Sequence, residues 1–152
     1  MDGWIARVYL DNCCLMRLFD DQSLPAVRME TQAVGVVLAR IRAGLLHWVA
    51  GDILEMEIMA CPVENRRRKV LSILVHAAHY VRYTDTMDAM TDRLHKNGFS
   101  WMDAAHVASA ESSGCDWFLT TDQSLEKRFA RVAYQFRLKV LNPAKFVLEA
   151  TP

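Results

Sequence analysis

Short apolar segments alternate with longer amphipathic ones along this chain. The short segments carry the β-branched and aromatic residues that favour strands, and the longer ones repeat apolar residues at helical spacing. Predicted strands cover residues 5–10, 45–50, 81–83, 117–119 and 138–141. Predicted helices cover 29–42, 63–79, 84–96 and 123–129, with others beginning near 13, 52 and 100. This alternation predicts a three-layer α/β/α fold with a central parallel sheet.

Length and charge limit the function further. With 152 residues, the chain fits one domain over 1–152, which is large enough to bury a substantial core. The 18 basic and 18 acidic residues give a formal net charge of zero, so a nucleic-acid partner would need a local basic face. The basic run at 66–69 is one candidate, and a solvated helix face is its simpler interpretation.

The cysteine spacing and the hydropathy of the sequence indicate the cellular compartment in which the protein is expected to act. The chain has four cysteines, and they form neither a CxxC pair nor a zinc-ligand spacing. They do not resemble a secreted disulfide framework either, which favours a reducing cytoplasm. The first residues lack the pattern of a signal peptide, and no segment approaches the roughly 20 apolar residues of a membrane span. We therefore expect a cytoplasmic protein without a membrane partner.

Acidic residues fall where a parallel sheet would bring them together. Asp11 and Asp122 each follow a predicted strand, while Glu57 and Asp103 lie near the starts of predicted helices. In open α/β sheets, ligands bind outside the carboxyl ends of the strands. Mg²⁺ and Mn²⁺ prefer oxygen ligands, and a metal-bound water deprotonates more easily and can attack phosphorus. The four acids therefore predict a divalent-cation site of a metal-dependent enzyme, with a nuclease as the leading candidate.

Four segments, at spacings that fit the predicted alternation, resemble in their order the motifs of the PIN-domain nucleases. The first is an opening strand that ends in an acid, the second an acid-bearing helix, the third an aspartate that opens an alanine-rich helix, and the fourth a strand-end threonine two residues before an aspartate. In this chain they are residues 8–12, 52–58, 103–110 and 118–122. Together they extend the resemblance over nearly the whole chain.

The resemblance implies an endoribonuclease that cleaves single-stranded or structured RNA with Mg²⁺ or Mn²⁺. In that family such a protein is commonly the toxin of a VapC-like toxin–antitoxin pair, which implies an antitoxin partner and a homodimer. By resemblance, Asp11, Glu57, Asp103 and Asp122 are metal ligands or water-orienting acids, with Asp11 and Asp103 as the main ligands. Thr120 is a supporting hydroxyl.

Several residues have two interpretations. Glu55 competes with Glu57 as the second acid, because Gly51 stands where the family's helix usually begins with serine. Asn12 is a site candidate or a helix cap, and Glu30 a contributor or an acid favoured by a helix N-terminus. His106, one turn after Asp103, contacts the site or a phosphate, or is simply a packed histidine.

The acids also have purely structural interpretations, and the function has a non-catalytic alternative. Individually, Asp11 and Asp122 would serve as helix caps and Asp103 as a first-turn acid. Trp101 and Trp117 are predicted to be packing residues rather than base-stacking platforms. The main rival function is a catalytically inactive PIN-like binding or scaffolding module. The sequence leaves open the RNA target and the choice between one and two metal ions.

Overall fold

A five-stranded parallel sheet forms the centre of the computed structural model, which describes residues 3–150. The strands are β1 (Arg7–Leu10), β2 (His47–Gly51), β3 (His79–Val81), β4 (Trp117–Leu119) and β5 (Lys139–Leu141). They lie in the order β3-β2-β1-β4-β5, and every neighbouring pair is parallel. The architecture is the predicted three-layer α/β/α fold.

Eight α-helices connect and cover the strands of the described chain. They are α1 (Asn12–Met16), α2 (Pro25–Arg42), α3 (Asp52–Met59), α4 (Glu64–Ile73), α5 (Asp88–Lys96), α6 (Trp101–Ser112), α7 (Gln123–Ala130) and α8 (Pro143–Glu149). Short 3₁₀ turns cover Arg17–Phe19, Leu74–His76, Asp85–Met87 and Ala133–Gln135. No helix within residues 3–150 is long and apolar enough to cross a membrane.

Strand β1 is central because it is apolar along most of its length. Val8, Tyr9 and Leu10 are fully buried, as expected of a parallel strand with helices over both faces of its sheet. β1 pairs with β2 on one side and with β4 on the other. Asp11, the next residue, therefore emerges in the middle of the carboxyl edge of the sheet.

The element boundaries differ from the prediction in places where tertiary contacts decide them. The helix predicted over 63–79 ends at Ile73, because His79 pairs with Val49 as part of β3. α2 begins at Pro25 rather than at residue 29, since proline suits the first helical position. α8 was not predicted, although Asn142 provides its cap by accepting a hydrogen bond from the Ala144 backbone N–H at 2.8 Å.

Asp52 and Thr84 stand where two helices were predicted to begin, and neither caps a helix in the structure. Asp52 does not cap α3, because it is the first helical residue and its Oδ2 accepts a hydrogen bond from the Tyr83 backbone N–H at 3.0 Å. Thr84 precedes a 3₁₀ turn, and α5 itself begins only at Asp88. In both cases the polar side chain serves the connection between β3 and α5 rather than a helix start.

Gly51 occupies the cap position of α3, and β3 leaves no room there for a side chain. A Cβ atom at Gly51 would collide with the carbonyl oxygen and the Cγ1 of Val81. The backbone of Gly51 is extended, so close approach of the neighbouring strand is the reason for glycine. This contact explains why glycine stands where the resemblance predicts serine.

We expect Gly51→Ala to lower the free energy of unfolding by about 2 kcal/mol, because β3 must move away from β2. Gly35→Ala is the matched control: Gly35 lies inside α2 with nothing within 4 Å of an added Cβ. Alanine there should raise stability by about 0.5–1 kcal/mol. Urea unfolding of both variants checks the prediction. A Gly51→Ala protein as stable as the wild type would contradict it.

Candidate metal centre

An acidic cavity of about 370 Å³ opens at the carboxyl edge of the sheet. The four predicted acids reach it from four elements: Asp11 after β1, Glu57 in α3, Asp103 in α6 and Asp122 before α7. Its other lining residues are Asn12 and Cys13. The structure thus brings together the four acids that the sequence analysis singled out.

Asp11 is the most buried of the four acids, with 5% of its surface exposed. It lies at the cap position of α1, but its side chain makes no capping bond. Its Oδ2 accepts hydrogen bonds from the Thr120 hydroxyl at 2.8 Å and from the Cys13 thiol at 3.4 Å. Burial raises the pKa of Asp11; the nearby Glu57 charge acts in the same direction, and His106 opposes it.

Thr120 connects two of the acids. Its hydroxyl donates to Asp11 and accepts a hydrogen bond from the backbone N–H of Asp122 at 3.1 Å. The Cys13 sulfur lies 3.3 Å from the same hydroxyl and accepts from the backbone N–H of Thr121 at 3.3 Å. Thr120 therefore occupies the position of a supporting hydroxyl, and Cys13 is a neighbour that the sequence analysis did not select.

His106 is fully buried and faces two of the acids. Its Nε2 lies 3.3 Å from Glu57 Oε1 and 4.0 Å from Asp11 Oδ1, while its Nδ1 lies 2.5 Å from the Tyr9 hydroxyl oxygen. Burial alone would lower the pKa of His106, but the hydrogen bond to Glu57 and the charges of the acids raise it overall. His106 is thus both a packed histidine and a contact of the acidic site.

Three side chains form the tightest group of possible ligands. Asp11, Glu57 and His106 each offer one ligand atom, and these three atoms lie within 4.8 Å of one another. Within residues 3–150 this is the one such group of three or more acidic, histidine or cysteine side chains. Asp103 and Asp122 line the same cavity without belonging to this set. The predicted primary role of Asp103 as a ligand stays a prediction.

Asp103 lies in the first turn of α6. The Ser100 hydroxyl accepts a hydrogen bond from the Asp103 backbone N–H at 3.1 Å, which is one half of a capping box. Burial, followed by the charge of Asp11, raises the pKa of the Asp103 carboxyl. Repulsion between acids is therefore built into the cavity.

Asp122 has both of the roles considered for it. One carboxylate oxygen caps α7 by accepting hydrogen bonds from the backbone N–H groups of Ser124 at 2.9 Å and Leu125 at 3.2 Å. The same side chain lines the acidic cavity. The cap holds the carboxylate in place and leaves its second oxygen outside these two bonds.

Two of the secondary candidates lie away from the cavity lining. Glu55 accepts a hydrogen bond from the Tyr80 hydroxyl. Glu30 pairs with Arg17 at 3.2 Å and accepts from the Asn142 side chain at 2.7 Å. Of the competing pair on α3, the structure therefore places Glu57 in the cavity and Glu55 outside it.

Asn12 lines the cavity, and it is not the cap of α1. The helix begins at Asn12, so the cap position belongs to Asp11. The side-chain oxygen of Asn12 is buried and has no hydrogen-bond partner among the described residues. A buried amide oxygen without a hydrogen-bond partner, on a residue that lines the cavity with the four acids, is a group that a hydrated cation could satisfy.

The basic run at 66–69 is partly used inside the fold. Arg66 pairs with Asp20 at 3.1 Å and donates to the carbonyl oxygen of Phe19 at 2.7 Å. Arg67 donates to the carbonyl oxygen of Cys61 at 2.8 Å. The interpretation as a merely solvated face is therefore incomplete, because two of its four cations bind neighbouring loops.

Tyr9, like Cys13, is a residue of the site that the sequence analysis missed. It is fully buried in β1, its ring stacks on Phe118 with centroids 5.2 Å apart, and its hydroxyl meets His106. A signal was available, because a tyrosine inside a buried strand needs a polar partner for its hydroxyl. The identity of that partner depends on how α6 packs on the sheet, which the spacing does not reveal.

The donor set fits a hard divalent cation. Carboxylate oxygens are the ligands that Mg²⁺ and Mn²⁺ prefer, and an imidazole nitrogen is also accepted by transition metals. The raised pKa values of Asp11 and Asp103 show that crowding and burial disfavour their negative charges, which a bound cation would offset.

Comparisons with known proteins identify the fold. No protein-family model matches the sequence, and no curated protein matches it. Among solved structures, the chain is similar to FitAcB from Neisseria gonorrhoeae, with 14% identity and a TM-score of 0.57, covering 90% of this chain and 97% of that one. It is also similar to VapBC2 from Rickettsia felis bound to a DNA fragment from their promoter, with 8% identity and a TM-score of 0.57, covering 90% and 98%. These likenesses establish the architecture alone: the chain has a VapC-like PIN-domain fold.

Proposed function

We propose that this chain is a single-domain, Mg²⁺- or Mn²⁺-dependent endoribonuclease that hydrolyses RNA phosphodiester bonds. The observation that carries the proposal is the cavity at the carboxyl edge of the sheet, where four carboxylates and a buried histidine converge. The PIN-domain fold supports it, because the four acids are those that the sequence resemblance assigns to the metal site of that family.

In this proposal the residues of the chain hold and orient the reacting groups. Asp11 and Glu57 would hold the cation, His106 would bind it or orient Glu57, and Asp103 and Asp122 would orient its water or complete the ligand set. The cation, when bound, would lower the pKa of a water molecule and offset the charge that develops on the phosphate. Thr120 fixes the Asp11 carboxylate, and burial of Asp11 keeps bulk water from its inner oxygen.

Cleavage of defined RNAs tests the proposal. We expect internal cleavage of an unstructured RNA or of a hairpin with Mn²⁺ or Mg²⁺, and none with excess EDTA. Gel analysis of end-labelled RNA would separate internal cleavage from trimming of the ends. Calorimetric binding of Mn²⁺ without cleavage of any RNA in a random pool would instead favour the inactive PIN-like binding module.

We also propose that the chain acts in the cytoplasm as the toxin of a toxin–antitoxin pair and can form a homodimer. Similarity in fold to FitAcB and VapBC2 supports this role, and the four free cysteines suit a reducing compartment. Expression of the chain should stop growth, and co-expression of the neighbouring gene product should restore it. Harmless expression of a protein that binds Mn²⁺ would contradict the toxin role.

A further inference from the structure

We infer that His106 binds the cation directly through Nε2, and that this ligand makes the metal centre selective for a transition-metal ion such as Mn²⁺ over Mg²⁺. The inference rests on the proposed metal-dependent function and narrows its cofactor. The sequence left two roles open for His106, a contact of the site or a packed histidine, and did not distinguish Mn²⁺ from Mg²⁺.

The Nε2 atom of His106 meets the inner end of the acidic cavity. It lies 3.3 Å from Glu57 Oε1 and 4.0 Å from Asp11 Oδ1. Both acids line the cavity, and Asp11 is itself almost fully buried. The imidazole is fully buried, yet one of its nitrogens is therefore in direct reach of two carboxylates.

The two separations fit a shared cation better than they fit hydrogen bonds. A hydrogen bond from a nitrogen to an oxygen is typically about 2.7–3.2 Å long. The separation of 4.0 Å excludes such a bond to Asp11, and 3.3 Å is long for one to Glu57. Two atoms bound to one cation at about 2.1 Å lie between about 3.0 and 4.2 Å apart. Both separations fall within that range.

The other side of the imidazole is held in place. Its Nδ1 meets the Tyr9 hydroxyl, and the ring packs edge-on against Tyr9 and Phe118, with centroids 5.5 Å and 6.5 Å apart. With Nδ1–H donating to the Tyr9 oxygen, the lone pair of Nε2 faces the two acids. Histidines that bind metals are usually oriented by a second partner of this kind.

A fixed imidazole ligand discriminates between cations. Mg²⁺ prefers oxygen ligands and keeps several of its waters, whereas transition-metal ions also bind imidazole nitrogen. His106 is fully buried, so it cannot turn aside and let a water molecule take its place. We therefore expect the preference for Mn²⁺ over Mg²⁺ to be about 10-fold to 100-fold stronger in the wild type than in a protein without this imidazole.

Electron spin-echo spectroscopy of bound Mn²⁺ tests the ligand without RNA and without a variant. We expect the wild type with one equivalent of Mn²⁺ to show coupling of the ion to a directly bound nitrogen. Labelling the histidines with ¹⁵N should change this coupling, which distinguishes imidazole from backbone nitrogen. Bound Mn²⁺ that shows no coupling to a histidine nitrogen would contradict the inference.

His106→Gln tests the selectivity and separates binding of the ion from orientation of Glu57. Glutamine can still donate an N–H to Glu57, but it has no imidazole nitrogen. We expect His106→Gln to lose the nitrogen coupling and most of the preference for Mn²⁺, measured by displacing Mn²⁺ with Mg²⁺. His76→Gln is the matched control, because His76 is exposed and does not line the cavity. It should behave like the wild type in both measurements.

Failure of this inference is distinguishable from failure of the proposed function. If His106→Gln keeps the nitrogen coupling or the selectivity of the wild type, His106 is not a ligand, even where the wild type cleaves RNA. RNA cleavage that is equally fast with Mg²⁺ and Mn²⁺, together with equal affinities for the two ions, would likewise overturn the inference and leave the nuclease function standing. Coupling to His106 in a protein that cleaves no RNA would support the inference and contradict the proposed function.

Discussion

Asp11→Asn should abolish RNA cleavage and leave the fold intact. Asparagine keeps the shape of the side chain and can still meet the Thr120 hydroxyl, but it removes the charge at the centre of the acidic cavity. A cation contributes several kcal/mol to such a reaction, and each 1.36 kcal/mol is a factor of ten. We therefore expect kcat/KM to fall by about 10³-fold or more, together with loss of Mn²⁺ binding in calorimetry.

Asp92→Asn is the control for this variant. Asp92 is an exposed aspartate of α5, and it does not line the acidic cavity. Its variant should bind Mn²⁺ and cleave RNA like the wild type. Unchanged turnover in Asp11→Asn, with circular dichroism showing the native fold, would contradict the assignment of the site.

The same substitution has an expected effect on stability. Burial raises the pKa of Asp11 in the folded state, so its contribution to stability is present below the unfolded-state pKa and is lost as the pH rises through the folded value. At neutral pH the buried charge therefore destabilises the metal-free protein. Asp11→Asn should melt at a higher temperature than the wild type in EDTA, and added Mn²⁺ should raise only the melting temperature of the wild type.

The sequence was sufficient to predict the edge of the sheet at which the acids meet. Asp11 and Asp122 follow strands, and in a parallel sheet the ends of strands share one edge. Glu57 was harder to assign, because Glu55 on the same helix was a competing candidate. Their separation depends on how α3 lies against α6 and β3, which places Glu57 near His106 and Glu55 beside Tyr80.

Contacts between distant elements determine which residues are partners, and the sequence does not reveal these contacts. The glycine at the start of α3 is required by Val81 of the adjacent strand, and that pairing is set by the register of β2 and β3. Likewise, His106 could be placed on α6 but not opposite Tyr9, since the two residues lie 97 positions apart in the chain. Local sequence patterns thus identify candidate residues and the elements that carry them, while the packing of helices on the sheet determines their partners.

The second large effect is expected for His106→Ala. The change empties a fully buried position and leaves the Tyr9 hydroxyl and Glu57 without the imidazole that they contact. We expect the free energy of unfolding to fall by about 3 kcal/mol, from the cavity and the unsatisfied hydroxyl together. We also expect Mn²⁺ affinity to fall between about 10-fold and 100-fold, whether the imidazole binds the ion or only orients Glu57.

Val107→Ala separates the two consequences of that change. Val107 is the next residue of α6 and is equally buried, but it does not line the cavity. Its truncation should cost about 1–3 kcal/mol of stability and leave Mn²⁺ affinity unchanged, since it removes only core packing. Calorimetry on both variants, at a temperature where urea titrations show both to be folded, measures the difference. Equal Mn²⁺ affinities in the two would assign His106 to the core alone, whereas a loss confined to His106→Ala would make the histidine part of the metal centre.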